Sequence, residues 1–143
     1  MMKIKKILAI LTLCMMGCSD KEILRCNLET LNGKTYSDSK LYNGTCHFFT
    51  GDNEILWKTL TYKRGKLYKE IAYYLDTGQI EYIGFRDNDG NIDGLFERYF
   101  KNGQLELKGK LNKGYRSGNW EVYNENGELK EEILYDSKGN VTK

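Results

Sequence analysis

Gly94-Leu95-Phe96-Glu97-Arg98-Tyr99-Phe100-Lys101-Asn102-Gly103-Gln104-Leu105-Glu106-Leu107-Lys108-Gly109-Lys110-Leu111 holds two apolar-rich runs around one turn signal. Leu95 to Phe100 is rich in aromatics and reads as a strand. Asn102-Gly103 is a strong hairpin signal, because glycine takes positive φ without steric cost. Gln104 to Leu111 reads as the returning strand, with Leu105, Leu107 and Leu111 on one face and Glu106, Lys108 and Lys110 on the other. Asn112-Lys113-Gly114 then turns the chain again.

This unit recurs every 24 to 25 residues from Gly44 onward, in copies spanning 44–68, 69–93, 94–117 and 118–143. Gly44, Lys69, Gly94 and Gly118 open the copies. Asn53, Gly78, Gly103 and Gly127 mark the first turn, and Gly65, Gly90, Gly114 and Gly139 the second. Phe49, Tyr74, Tyr99 and Tyr123 precede the first turn, and Ile55, Ile80, Leu105 and Leu129 follow it. A unit this short cannot bury its own apolar face and needs stacked neighbours. The expected fold is therefore all-β: an antiparallel up-and-down array of β-hairpins, about eight strands in one elongated, twisted sheet. Residues 28–43, with Asn32-Gly33 at their centre, read as a leading hairpin that caps the first copy.

The recurring glycine, aromatic, tyrosine and Asn-Gly of Gly94 to Gly103 and of Gly118 to Gly127 resemble the MORN repeat in its divergent bacterial variant. The resemblance covers roughly residues 44–143 and extends to bacterial YwqK-family antitoxin proteins. It implies a hairpin sheet used as an interaction surface, and it carries no catalytic residues to map onto this chain. The second copy departs from the pattern at Lys69 and Ile71, and the first at Cys46 and Asn53.

The N-terminus reads as an export signal. Lys3, Lys5 and Lys6 precede the short apolar stretch 7–13, which falls below the roughly 20 residues that a membrane-spanning helix needs. Met15-Met16-Gly17-Cys18 resembles the bacterial lipoprotein signal, so residues 1–17 are expected to be removed and Cys18 to be lipidated, with 18–27 as lipidated cysteine and tether. Several acyl chains on one residue give stable anchoring. The expected location is the cell envelope, with the outer membrane or cell surface favoured over the inner membrane. Cys26 and Cys46 would then lie in an oxidising compartment as a candidate disulfide. The alternative for Cys46 is a plain core residue in register with Ile71, Phe96 and Trp120.

Residues 1–17 hold three of the 22 basic side chains and none of the 20 acidic ones, which leaves 19 basic and 20 acidic. Nucleic-acid binding calls for a basic patch or stripe, and here the signs are interspersed, so no nucleic-acid partner is expected. The single histidine, His47, and the scattered carboxylates form no nucleophile–base or metal-ligand pattern. The expectation is a non-enzyme without cofactor or metal: a membrane-anchored lipoprotein whose repeat sheet binds a protein or glycan partner. An immunity or antitoxin-type protein acting in the envelope is the alternative. A carbohydrate-binding module is the third reading, with Phe49, Tyr74, Tyr99 and Tyr123 as stacking platforms in place of cross-strand packing.

Overall fold

The computed structural model describes residues 23–24, 28–50 and 55–142. Its strands are β1 (Ile23–Leu24), β2 (Glu29–Leu31), β3 (Lys34–Ser37), β4 (Lys40–Leu41), β5 (Gly44–Thr50), β6 (Ile55–Lys63), β7 (Lys66–Tyr73), β8 (Ile80–Arg86), β9 (Ile92–Tyr99), β10 (Leu105–Asn112), β11 (Tyr115–Tyr123) and β12 (Leu129–Tyr135). One sheet runs β1-β5-β6-β7-β8-β9-β10-β11-β12, and a small one runs β2-β3-β4. Strands β5 to β12 are therefore eight antiparallel neighbours in chain order, the up-and-down array that the repeat implies. The turn glycines Gly65, Gly78, Gly90, Gly103, Gly114, Gly127 and Gly139 all have positive φ. Asn53 lies outside the described residues.

The segment before the repeats departs from the sequence reading in two places. Ile23 and Leu24, read as tether, form an edge strand opposite Phe49 and Phe48. The leading hairpin is a three-stranded sheet, and it caps by clamping a turn. Arg64 and Gly65 form a two-residue turn with φ of 50° and 72°. The Thr35 amide donates to the Gly65 carbonyl at 2.7 Å, and the Gly65 amide donates to the Tyr42 carbonyl at 2.8 Å. The Arg64 amide donates to Asn43 Oδ1 at 2.7 Å. A Cβ on residue 65 would stand 2.7 Å from the Thr35 carbonyl oxygen, so the clamp itself requires glycine there.

The register of the second copy also needs correction. Tyr73 pairs with Ile80, as Tyr99 pairs with Leu105 and Tyr123 with Leu129. Tyr73, not Tyr74, thus occupies the place of Tyr99 and Tyr123. The cause is one additional residue in the second hairpin's turn: the Gly78 amide reaches back to Tyr74, four residues away, whereas Gly103 and Gly127 reach back three, to Phe100 and Asn124. In the first copy Phe49 pairs with Leu56, so Leu56, not Ile55, matches Ile80.

With the register corrected, Cys46, Glu70, Phe96 and Trp120 occupy the same position of the four copies. Pairing runs across the sheet from Cys46 to Leu60, Glu70, Gly84, Phe96 and Gly109. Trp120 lies over Gly109, where a Cβ would come within 2.2 Å of the indole. The core is this one face. Trp120, Leu107 and Leu111 are buried and pack against Ile92, Phe96 and Tyr135. The aromatic rings pass contact along the sheet from Tyr82 to Phe96, Trp120 and Tyr135 at centroid distances of 5.9, 6.2 and 6.3 Å. The Arg116 guanidinium sits 4.6 Å from the Trp120 ring.

Glycine at 109 is therefore a matter of space. Gly109→Ala should destabilise the chain by about 1–3 kcal/mol through forced displacement of Trp120, read as a lower midpoint of urea unfolding with unchanged slope.

Candidate functional site

Each repeat hairpin carries a β-bulge at the same place. Opposite the pairs that flank it, one residue is additional: Trp57 on β6, Glu81 on β8, Glu106 on β10 and Lys130 on β12. A bulge re-aims a side chain out of the ordinary alternation. As a result the consecutive residues Trp57 and Lys58 line one cleft together, and so do Glu81 and Tyr82. That cleft has a volume of about 470 Å³, with Tyr73 and Leu75 completing its apolar lining. In the third copy the bulge residue Glu106 is consumed by a two-pronged ion pair with Arg98, at 2.6 and 2.7 Å.

Two residues along β7 from Ala72, which lines the cleft between Lys58 and Tyr82, lies Glu70, 5% exposed, where the next two copies place aromatic rings. Its carboxylate accepts from the Tyr82 hydroxyl at 2.6 Å and from Arg86 at 2.6 Å, and Lys58 Nζ stands 3.0 Å away. Burial alone would raise the Glu70 pKa, but the hydrogen bonds from Tyr82, Arg86 and Lys58 outweigh it and lower the value to about 2. Burial, followed by the bond to Glu70 and its charge, holds the Tyr82 phenol well above its ordinary range. Lys58 also lies 4.6 Å from the Trp57 ring. Lys58 and Tyr82 are thus held by the Glu70 charge, and Trp57 and Tyr82 by aromatic contact with Phe48 and Phe96.

The residues singled out from the sequence fare unevenly. Tyr74 donates to the Tyr99 carbonyl at 2.8 Å, tying the second hairpin end to the third. Tyr99 donates to Glu97 at 2.9 Å, and Tyr123 donates to Glu121. These three phenols are held by hydrogen bonds one by one, while the ring-to-ring path runs through Tyr82, Phe96, Trp120 and Tyr135. Phe49 pairs with Leu56 near the edge of the sheet. His47 Nδ1 is 3.0 Å from Thr59 Oγ1, which is 3.3 Å from the Tyr73 hydroxyl. Cys46 is fully buried and disulfide-bonded. Cys18 and Cys26 lie outside the described residues, so lipidation and the partner of Cys46 fall outside them too. Among the described residues no group of three or more His, Cys, Asp or Glu side chains converges to hold a metal ion. Sequence reasoning missed Glu70, Trp57 and Tyr82; the signal for Glu70 was the longer second turn, which shifts the alignment by one.

A family described as MORN repeat variant matches residues 92–112 and 116–137. Each match covers one hairpin, β9–β10 and then β11–β12, so the unit of resemblance is the unit of structure. The unmatched hairpins are the two that place Cys46 and Glu70 where the matched ones place Phe96 and Trp120. Neither the curated proteins nor the solved structures contain a match.

The Glu70 network sets a pH signature. Its folded pKa lies below the ordinary value of 4.5, so its stabilisation is complete above that value and is lost as pH falls toward about 2. Glu70→Gln should therefore be less stable than the natural chain at pH 6, and the gap in urea midpoint should narrow steadily between pH 5 and pH 2.

Proposed function

We propose that the chain is an envelope lipoprotein whose hairpin-repeat sheet serves as a non-catalytic binding module, with a protein as the partner. The observation that carries this reading is the cleft made by two successive bulges. It offers Trp57, Tyr73, Tyr82 and Leu75 as apolar area with Lys58 and Glu81 at its sides, and the buried Glu70 carboxylate locks Lys58 and Tyr82 in place. Aromatic anchors held rigid before contact are the usual source of affinity at interfaces, since little side-chain freedom remains to be lost. Leu75, 55% exposed, stands ready to be covered.

Placing a photo-crosslinking residue at Leu75 should give one discrete adduct in intact cells, and Trp57→Ala in the same chain should abolish it. A crosslinker at Lys138, in a distant turn, should give none. Adducts of equal yield at both positions, or none at Leu75, would contradict the assignment of the cleft. A shift of the Leu75 species that glycosidase treatment reverses would instead make the partner a glycan.

Anchoring through Cys18 belongs to the same reading. The motif Met15-Met16-Gly17-Cys18 supports it, and the oxidised state of Cys46 suits a compartment outside the cytosol. Cys26 is the other cysteine beyond the anchor in the expected mature chain, which makes it the proposed partner of Cys46. Cys18→Ala should move the protein from the detergent phase to the aqueous phase on cloud-point partition. Digestion without reductant should yield a Cys26–Cys46 peptide; a mature, acylated Cys18→Ala protein would overturn the anchor.

A further inference from the structure

A second cleft, of about 660 Å³, opens where the small β2–β4 sheet meets the turns of the main sheet. Lys34, Lys63, Arg64, Lys66 and Arg86 line it, with Asp87 as the single acidic residue. Four of these five cations have no internal counter-ion among the described residues. Arg86 is paired with Glu70. Among the described residues no carboxylate lies within ion-pair distance of Lys34, Lys63, Arg64 or Lys66. Asp87 is already spent on its own turn: Oδ1 accepts from the amides of Asp89 and Asn91 at 2.8 and 2.9 Å, and Oδ2 accepts from the Asn91 side chain at 3.0 Å. Lys63 lies over the Tyr68 ring at 3.4 Å, and Lys66 donates to the Asn88 carbonyl at 2.8 Å; both contacts orient the ammonium and leave its charge intact. The Arg86 Nε–H is buried without an acceptor.

Gathering four unneutralised cations in one concavity opposes folding through their repulsion, and low-dielectric walls focus the field on any anion that enters. Three of them, Lys63, Arg64 and Lys66, come from one turn whose backbone is clamped by Thr35, Tyr42 and Asn43. The cations are thus preorganised around a single compact spot, not strung along a stripe as a nucleic-acid backbone requires. A tetrahedral oxyanion meets this geometry, since it accepts several charge-assisted hydrogen bonds at once from ammonium and guanidinium donors.

We infer that this cleft is a binding site for a phosphate ester, held by Lys34, Lys63, Arg64, Lys66 and Arg86. It is separate from the aromatic cleft, and the Glu70 carboxylate bonds to lining residues of both, Lys58 and Tyr82 on one side and Arg86 on the other.

The test uses the full chain in micelles of a neutral detergent, followed by amide chemical shifts. Inorganic phosphate should shift the amides of residues 63–66 saturably, with an affinity that falls as salt rises. The double variant Lys34→Gln/Arg64→Asn should weaken binding at least tenfold. Asn tolerates positive φ, so this variant should keep its urea midpoint. Doping the micelles with phosphatidylglycerol separates the sources: shifts at 63–66 without added phosphate assign the ester to a lipid headgroup, and shifts with phosphate alone assign it to a soluble ester. No shift in either arm, or unchanged affinity in a folded double variant, overturns the inference. So does tighter binding of a poly-glutamate peptide than of phosphate, which would make the partner an acidic protein.

Discussion

A carboxylate buried in the sheet is the constraint around which the first half of the structure is arranged. Glu70 stands at a position that later copies fill with rings, and a charge there is tolerable only when both carboxylate oxygens find donors. Tyr82, Arg86 and Lys58 supply those donors from the neighbouring strands β8 and β6. Satisfying Glu70 therefore fixes three further side chains, and each of them lines a cleft: Lys58 and Tyr82 the aromatic one, Arg86 the basic one. The second half of the sheet solves the same packing problem with apolar area, through Phe96, Trp120 and the glycine that admits the indole. One repeat thus yields two kinds of core along one sheet, and both clefts border the charged kind.

The repeating bulge then converts a regular sheet into a specific surface. Strict alternation would send Trp57 and Lys58 to opposite faces, and likewise Glu81 and Tyr82. The additional residue in each hairpin brings both members of each pair to one cleft. In the third copy the same device produces an Arg98–Glu106 ion pair instead. The bulge is a property of the repeat; what it presents is decided copy by copy.

Much of this was legible in the sequence. The spacing of Gly65, Gly90, Gly114 and Gly139, and of Gly78, Gly103 and Gly127, predicts hairpins because these residues accept positive φ, and all of them have it. The order of strands followed, since tight turns leave no route but to the neighbouring position. The site was less legible, for physical reasons. One residue inserted in the turn after Tyr74 costs the turn little and leaves the glycine count intact, yet it moves Glu70, not Ile71, into the place of Phe96. A charged residue at a core position reads as surface until its three partners are known, and those partners lie 12 to 16 residues away on other strands. The docking of β2–β4 on the Arg64-Gly65 turn rests on backbone hydrogen bonds, which side-chain patterns do not announce.

The account turns on Glu70 remaining ionised inside the sheet. Carbon-13 labelling of glutamate side chains, with the Glu70 carboxyl signal assigned by its loss in Glu70→Gln, allows its titration to be followed directly. The account predicts a signal that stays in the carboxylate position as pH falls through 4 and moves only near pH 2, or when the chain unfolds. A midpoint at or above the ordinary value of 4.5 would mean that the donors do not outweigh burial, and would contradict the account.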